Sequence, residues 1–339
     1  MMNVLTESTP KISSKKDIKN NVILLKDYYF GSDGKYEFIE YVNAGYGMIR
    51  NRPIESELPK IYLNYYTHGN NNQTLLSLIL EKIYKNYFFL IKIFKAIIPG
   101  FNEFLCHKEY LFKDTYNSIL DVGCGSGFYR KYFSSCNHYD GIEIDRSCYT
   151  IAKSNGVNII SKNLRDINHL GKKRKKYELL FLHHYLEHSY RPLDDIEILK
   201  RLLSNSEYSC IKIVTPNLNS LGRLLFNKYW RGYEAPRHCY LFTQKYFVNL
   251  FCNDVEFEVS TKTTFANARS FVQIPCYLNK FENKIIKGLF NLIQLFISLI
   301  YQIFCTFYFY FDKDSGDELI VEIRRKFSKR NSANYFLYS

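Results

Sequence analysis

The stretch that decides the fold is SILDVGCGSG, Ser118–Gly127, in a chain of 339 residues. An apolar run of strand length leads directly into three alternating glycines, Gly123, Gly125 and Gly127. Because glycine has no Cβ atom, such a turn lets the backbone approach a ligand closely at the end of a buried strand. The spacing differs from the GxGxxG of dinucleotide-binding turns, since Phe128 occupies the position of the third glycine. The stretch therefore predicts a ligand-binding turn and disfavours a nicotinamide cofactor.

A second strand is indicated by HYDGIEID, His138–Asp145, and it ends at Glu143. This acid follows the turn at about the 20-residue spacing at which a carboxylate can accept hydrogen bonds from both hydroxyls of a cofactor ribose. A single acid after a strand is more often a helix N-cap, which is the role expected of Asp145. The glycine turn and Glu143, in this order and at this spacing, predict a cofactor that contains a ribose.

Short apolar runs alternate with helical stretches from Ser118 toward the end of the chain. This alternation predicts an α/β fold with a Rossmann-like, doubly wound and mostly parallel seven-stranded sheet. The sequence also indicates a small N-terminal module and a helical insertion before the last strand. The candidate strands are SILDVG, HYDGIEI, VNIIS, ELLFLHH, SCIKIVT, FEVSTKT and ELIVEIRRK.

Composition and periodicity divide the chain into five parts. Thr74–Ile98 has apolar residues at helical spacing with lysines among them, which predicts a basic amphipathic helix. The first 20 residues contain lysines but no apolar signal-peptide core, so secretion is not expected. We expect a disordered basic tail at 1–20, a small irregular module at 21–73, a helical connector at 74–116, the α/β domain at 117–326 with an apolar helical insertion at 270–311, and a tail at 327–339.

Charge and cysteine content limit the classes of partner and compartment. The 46 Lys and Arg residues exceed the 33 Asp and Glu residues, giving a formal net charge of +13. Such an excess suits nucleic acid, an anionic substrate or a membrane surface, but solvated surface lysines explain it equally well. The run Lys172–Lys176 is most simply a solvated loop and no RNA-binding module accompanies it, so a nucleic-acid partner is not favoured. The nine cysteines include no CxxC pair, which indicates a reducing, cytoplasmic location.

The motifs, taken together and in order, resemble those of class I S-adenosylmethionine-dependent methyltransferases. The resemblance extends from Ser118 to Phe257 and returns at Gly316–Lys326. It implies S-adenosylmethionine as the cofactor. The family usually has an acid at the end of its third strand to contact the adenine amine, where this chain has Asn163, whose side-chain oxygen can also accept. The implied cofactor-binding residues are Asp121, Gly123, Gly125, Gly127, Glu143 and Asn163.

A further resemblance concerns a subgroup found in polysaccharide and glycolipid biosynthesis. It rests on TPNLNSLGRLLFNKYWRGYEAPRHCYLFT at Thr215–Thr243 and on GDEL at Gly316–Leu319, which is similar to that subgroup's closing strand. It implies a small-molecule or glycan acceptor that is methylated at oxygen, on a sugar or on a glycan or glycolipid precursor. The subgroup often carries a zinc ribbon before the sheet, but Asn43 and Tyr46 stand where its CxxC would fall. The ribbon is degenerate, and no zinc is expected there.

The candidate catalytic residues lie on two segments that should border the acceptor. HHYLEH follows the fourth strand, and carboxyl ends of parallel strands border the ligand crevice, so His188 is the favoured general base. His238, in APRHCYLFT, is the alternative base. Helix capping, a solvated ion pair and packing under a lid remain open as structural roles for these side chains. The residues expected to contact the acceptor are His184, Glu187, Trp230 and Arg237.

HYLEH also matches the HxxEH pattern of one class of zinc peptidase. That pattern needs a helix that presents two ligands on one face, whereas here a strand end precedes it. The sequence therefore predicts no metal.

Gly288–Phe311 contains no charged residue and exceeds the roughly 18 residues typical of a membrane span. Because GDELIVEIRRK should return to the sheet afterwards, we expect a helix that lies on a membrane, peripherally at the inner face, or in an apolar groove, and does not span the bilayer. Packing against the protein's own basic helix is the alternative. Polar residues recur at every third or fourth position and predict one polar stripe: Asn291, Gln294, Ser298, Gln302 and Thr306.

Two other functions remain open from the sequence. An RNA methyltransferase is favoured by the net charge of +13. A non-catalytic S-adenosylmethionine-binding interaction module is consistent with the missing CxxC, although the intact glycine turn with Glu143 argues against it.

Overall fold

The computed structural model describes residues 20–54, 57, 61, 115–167, 175–265, 268–272 and 284–327. The expected basic helix at Thr74–Ile98 lies outside the described residues, as do nearly all of both expected tails and residues 172–174 of the basic run.

The described strands and helices alternate over the second half of the chain. The strands are β1 (Asn20–Leu25), β2 (Tyr36–Tyr41), β3 (Tyr46–Ile49), β4 (Ser118–Val122), β5 (His138–Ile142), β6 (Asn158–Ser161), β7 (Leu179–His183), β8 (Cys210–Pro216), β9 (Tyr240–Phe242), β10 (Phe257–Thr264) and β11 (Glu318–Arg325). The α-helices are α1 (Tyr149–Ser154), α2 (Pro192–Leu202), α3 (Leu221–Phe226), α4 (Gln244–Phe251) and α5 (Lys284–Phe311).

The main sheet has seven strands in the order β10-β11-β8-β7-β4-β5-β6. The five strands β4, β5, β6, β7 and β8 pair in parallel. β11 pairs antiparallel with both β8 and β10. The predicted Rossmann-like, mostly parallel sheet is confirmed, and the segment that begins with GDEL enters it as β11.

The central strand β4 is buried on both faces. Leu120 and Val122 pack into one hydrophobic cluster with residues of β7 and α2, while Ile119 packs into a second cluster with Phe181 of β7. Such burial is typical of parallel sheets with helices on both faces and explains why SILDV reads as a continuous apolar run. The glycine turn therefore begins from a rigid support.

The helix α2 follows the strand that carries the histidines, and its sequence fixes where it begins. Pro192 occupies the first turn, where its missing N–H costs no hydrogen bond. Asp194 and Asp195 lie in the first turn and Lys200 and Arg201 in the last, in the orientation that the helix dipole favours. The helix start holds the preceding segment against the sheet.

The N-terminal module is more regular than the sequence indicated. β1, β2 and β3 form an antiparallel sheet whose fourth strand is β9, contributed by the connection between α3 and α4. Its core contains Phe38, Ile49, Trp230 and Leu241, all less than 2% exposed. The pairing with β9 joins strands that are far apart in sequence, which is why the short motifs of the module gave no sign of it.

The apolar helix α5 turns its polar stripe toward the protein. Ser298, Gln302 and Thr306 are buried, and the Gln302 side-chain amide donates to the carbonyl oxygen of Phe265 at 2.7 Å. By length and composition, Leu292–Phe311 is the one described segment that could cross a membrane, although buried helices of soluble proteins pass the same test. The exposed apolar residues of the helix are Leu289, Leu292, Ile293, Phe296, Ile297, Ile300, Ile303, Phe304, Phe307, Tyr310 and Phe311.

Candidate active site

The glycine turn after β4 is open on one side. Gly125 has a φ of 52°, and a Cβ atom built on it would meet no other atom within 4 Å. Gly127 has a φ of 73°, and a Cβ atom there would lie 2.6 Å from Cγ2 of Val157. The turn thus leaves room for a ligand beside Gly125 and requires glycine at Gly127 for close packing.

Glu143 lies directly beside this turn. One oxygen of its carboxylate accepts a hydrogen bond from the backbone N–H of Gly125 and the other from that of Asp145, each at 2.8 Å. Burial raises the pKa of Glu143. The two hydrogen bonds fix the position of the carboxylate, and each oxygen retains a lone pair for a ribose hydroxyl. Turn and acid together fit the ribose end of a nucleoside cofactor.

The two other expected cofactor residues have structural contacts of their own. Asp121 is buried within β4 and accepts a hydrogen bond from the Tyr139 hydroxyl at 2.7 Å, and burial raises its pKa to about 7. Asn163 is exposed after β6, and its side-chain oxygen accepts from the backbone N–H of Arg165 at 3.0 Å. Asp121 is therefore held within β4, directly before the glycine turn. The adenine contact expected of Asn163 stays a prediction.

The end of β7 connects the turn to the candidate catalytic segment. Nε2 of His183 lies 2.8 Å from the hydroxyl oxygen of Tyr129, which belongs to the 3-10 turn that follows the glycines. Tyr185 covers the start of the glycine turn, because a Cβ atom on Gly123 would lie 3.1 Å from its ring. Residues 183–188 therefore run directly beside the cofactor turn.

A chain of buried polar contacts crosses the sheet behind this segment. Nδ1 of His184 lies 2.8 Å from Glu187, and Nε2 of the same ring lies 3.0 Å from Glu318 at the start of β11. The other oxygen of Glu187 accepts from the hydroxyl of Thr215 on β8 at 3.0 Å. The expected acceptor contact His184 is thereby held between two carboxylates.

These contacts set the charges of the pair. Burial alone would favour the neutral ring, but hydrogen bonds to Glu187 and Glu318 outweigh it and raise the pKa of His184 to about 10. Burial likewise opposes ionisation of Glu187, but the hydrogen bond and charge of His184 lower the pKa of that carboxyl to about 2. Glu187 is therefore a fixed carboxylate with 0% exposure.

The structure brings both candidate bases together. The rings of His188 and His238 pack edge to face with centroids 4.7 Å apart. Nδ1 of His188 lies 3.1 Å from the carbonyl oxygen of Arg237, and Nδ1 of His238 lies 2.7 Å from that of Gly232. A carbonyl oxygen only accepts, so each Nδ1 donates and each neutral ring has its lone pair on Nε2. Burial lowers the pKa of both rings to about 4, which keeps them neutral.

Arg237 and Trp230 are buried in contacts within the protein. The guanidinium of Arg237 is fully buried, ion-pairs with Asp27 at 2.8 Å and lies over the ring of Phe30. Trp230 is 0% exposed and stacks on Phe271 with ring centroids 6.0 Å apart. Both side chains hold the connection before β9 against the N-terminal sheet, and the acceptor contacts expected of them stay predictions.

Three residues of the site were missed from the sequence: Tyr129, Thr215 and Glu318. Thr215 and Glu318 stand in segments that carried the subgroup resemblance, TPN and GDEL, but neither residue was given a role at the site. Two adjacent acids at the start of an otherwise apolar strand were the available signal, since a buried acid needs a partner.

The loss of Glu143 should weaken binding of the cofactor. We expect Glu143→Ala to reduce the binding free energy of S-adenosylmethionine by about 1–3 kcal/mol, because it removes hydrogen bonds to ribose in a partly buried site. Titration calorimetry measures this directly. Glu37→Ala, which removes an exposed acid of β2, is the matched control. Equal donor affinity in both variants would remove Glu143 from the cofactor site.

Comparison with known proteins identifies the family of this chain. A family model described as a methyltransferase domain matches residues 92–262, half of the chain. The chain belongs to this family, and its fold is that of a class I methyltransferase. It is an S-adenosylmethionine-dependent methyltransferase. A search of curated proteins gives no match.

Among solved structures, the chain is similar to several methyltransferases at low identity. The plantazolicin methyltransferase BpumL, in complex with a pentazolic substrate analogue and SAH, is 19% identical with a TM-score of 0.41, covering 80% of this chain and 92% of that one. A SAM-dependent methyltransferase from Archaeoglobus fulgidus is 15% identical with a TM-score of 0.42, covering 65% and 90%. A SAM-dependent methyltransferase from Thermotoga maritima, described as a possible histamine N-methyltransferase, is 13% identical with a TM-score of 0.41, covering 73% and 98%.

Proposed function

We propose that this methyltransferase acts on a hydroxyl oxygen of a sugar, or of a glycan or glycolipid precursor. The observation that carries the oxygen assignment is the pair of His188 and His238, whose rings pack together from the segment after β7 and the connection before β9. A hydroxyl must lose its proton on methylation, and neutral imidazoles can assist that loss. The sugar or glycan class is supported by the resemblance of Thr215–Thr243 to methyltransferases of polysaccharide and glycolipid biosynthesis.

In this proposal, different residues bind the methyl donor and act on the acceptor. The turn at Gly125 and the carboxylate of Glu143 hold the donor, which supplies its sulfonium methyl group in an in-line displacement. His188 and His238 promote loss of the proton from the acceptor hydroxyl. Glu187, held by His184 and Thr215, places a negative charge beside the two rings.

Incubation with donor labelled on its methyl group tests this proposal. The acceptors to compare are nucleotide sugars, lipid-linked glycans and RNA, each with the native chain and with Glu143→Ala at limiting donor. We expect label in a glycan-containing acceptor. Mild treatment that cleaves esters should leave this label in place, because it removes the label only if a carboxylate was methylated. Label in RNA alone would favour the RNA methyltransferase. Donor binding without transfer to any of the three would favour the interaction module.

We also propose that the enzyme, located in the cytoplasm, contacts a membrane peripherally through α5. Ser298, Gln302 and Thr306 of its polar stripe are buried, while large apolar side chains such as Phe296 and Phe307 are 65% and 60% exposed. An exposed apolar face of this length is typical of a surface that meets another apolar phase. The lysines Lys284 and Lys287 at one end and Lys313 at the other suit anionic headgroups. A single crossing is disfavoured because β11 follows and pairs with β8.

Flotation with vesicles that contain anionic lipid measures this contact. We expect the native chain to float with the vesicles at low salt and the double variant Phe296→Ser, Phe307→Ser to stay at the bottom. Val255→Ser is the control, since Val255 is 92% exposed but precedes β10, away from the helix. If the native chain also stays at the bottom, α5 has no lipid surface as its partner.

A further inference from the structure

Glu187, His188 and His238 form a cluster. The contacts of these three side chains differ from those expected where one histidine acts alone as a general base. Each residue offers one nitrogen or oxygen ligand atom, and these atoms all lie within 4.8 Å of one another. The residues come from two separate segments, the 3-10 turn after β7 and the connection before β9. We propose that the three side chains bind a divalent metal ion of the zinc class, which also binds the acceptor hydroxyl.

The two imidazoles are oriented as metal ligands are. Each ring donates its Nδ1–H to a backbone carbonyl oxygen, that of Arg237 for His188 and that of Gly232 for His238. Metal-binding histidines almost always donate their second ring N–H to a carbonyl or carboxylate, which fixes the tautomer and places the lone pair on the other nitrogen. Because Nδ1 donates in both rings, whose centroids lie 4.7 Å apart, Nε2 is the nitrogen of each ring that has the chemistry to bind a metal.

The third ligand is a buried carboxylate that is already fixed. Glu187 has 0% exposure and is held by the His184 ring at 2.8 Å and by the Thr215 hydroxyl at 3.0 Å. A carboxylate has about four lone-pair sites, so two hydrogen bonds leave capacity for a metal. Carboxylates that bind metals are usually themselves held by hydrogen bonds in this way. Glu318 holds the ring of His184, and His184 in turn holds Glu187.

The ligand set determines the class of ion. Two histidines and one glutamate with an open position form a typical catalytic zinc site, in which ligand atoms lie about 2.0–2.2 Å from the ion. Donors in tetrahedral geometry at that distance are about 3.4 Å apart. The three ligand atoms lie within 4.8 Å of one another, and side-chain rotation can bring them to this separation. No helix presenting two ligands is needed, which removes the reason for which the sequence predicted no metal.

The ion would change the role of the histidines in the proposed reaction, on which this inference rests. A hydroxyl bound to a divalent ion has a lowered pKa and releases its proton to water. The resulting oxygen attacks the methyl group, the O–CH3 bond forms and the S–CH3 bond breaks, and the sulfonium becomes a neutral thioether. His188 and His238 are then ligands, and no protein base is required.

Cobalt(II) is the probe, because its visible absorption reports tetrahedral nitrogen and oxygen ligands independently of activity. The full chain is freed of metal with a chelator and titrated with Co²⁺, and the bound Co²⁺ is displaced with Zn²⁺. We expect one equivalent to bind. His238→Asn should weaken binding at least tenfold, because asparagine keeps the donor to Gly232 but lacks Nε2. His138→Asn, which changes an exposed histidine at the start of β5, should bind normally.

The outcomes separate this inference from the proposed function. Absence of a Co²⁺ spectrum in the native chain overturns the metal site, whatever the variants do. Full methyl transfer by the metal-free chain also overturns it and leaves the histidines as bases. A Co²⁺ spectrum that needs His238 but not His138 supports the site, even if no acceptor of the glycan panel becomes methylated and the proposed function fails.

Discussion

Asp27→Ala should lower the free energy of unfolding by about 3–5 kcal/mol, because it removes the closer of the two carboxylates that pair with the buried guanidinium of Arg237, the other being Glu234 at 3.5 Å. Both side chains of this ion pair are 0% exposed, with 2.8 Å between Nη2 of Arg237 and Oδ1 of Asp27. Asp27 also accepts hydrogen bonds from the backbone N–H groups of Phe30 and Ser32 at 2.9 and 3.0 Å. Denaturant unfolding of the purified chain measures the loss.

Two further variants locate the origin of this effect. Asp27→Asn keeps the shape of the side chain and removes its charge. If the ion pair is the cause, this variant should show much of the same decrease in the free energy of unfolding as Asp27→Ala. Glu37→Ala removes one partner of the exposed pair with Arg50, whose side chains are 46% and 71% exposed, and should cost within about 0.5 kcal/mol. If Asp27→Ala costs no more than Glu37→Ala, the buried pair does not hold the N-terminal sheet in place.

The same carboxylate gives the effect a direction with pH. Burial opposes ionisation of Asp27, but the charge of Arg237 and the hydrogen bonds outweigh it and lower the pKa of Asp27 below its usual value of 3.8. A carboxyl whose pKa is lowered by folding stabilises the protein above its unfolded pKa and loses that contribution as the pH falls through the folded value. The native chain should therefore lose more stability than Asp27→Asn as the pH falls below about 4.

The cofactor half of the site was predicted from the sequence because its signals are local. A strand, a turn with positive φ and the acid that ends the next strand are set by neighbouring residues, so Gly125 and Glu143 could be placed by spacing alone. The acceptor half depends on contacts between distant segments. His184 meets Glu318 across the sheet, and Arg237 meets Asp27 of the N-terminal module. Spacing cannot identify such partners, and Arg237, which was expected to contact the acceptor, lies in a buried ion pair.

The helix α5 shows the same limit in another form. Periodicity predicted the polar stripe that includes Gln302, but periodicity does not say which face of a helix meets the protein. The buried partners Phe265 and Asp317 decide it, since Gln302 donates to the carbonyl oxygen of Phe265 and the neighbouring Tyr301 hydroxyl donates to Asp317. Polar groups that have hydrogen-bond partners inside the protein are buried, and the apolar face is left outside.

The second large effect concerns turnover. We expect His238→Asn to reduce turnover about 10²-fold or more while donor affinity stays nearly unchanged, since the proposed donor contacts lie at the glycine turn and Glu143. Asparagine can still donate to the carbonyl oxygen of Gly232, so the buried contact at 2.7 Å keeps its donor and the fold is disturbed little. The atom that is lost is Nε2, which a shared metal ion requires and which direct proton transfer requires only where His238 is the base.

His188→Asn applies the same reasoning to the other ring, whose Nδ1 faces the carbonyl oxygen of Arg237 at 3.1 Å. A direct base needs only one of the two Nε2 atoms, so one variant should lose turnover and the other should keep most of it. A shared metal ion needs both, so both variants should lose turnover to a similar degree. Steady-state kinetics with the authentic acceptor, with His138→Asn as the control, measures the difference. Full turnover in both variants would show that the histidine pair takes no part in methyl transfer, and the acceptor would then be methylated by positioning alone.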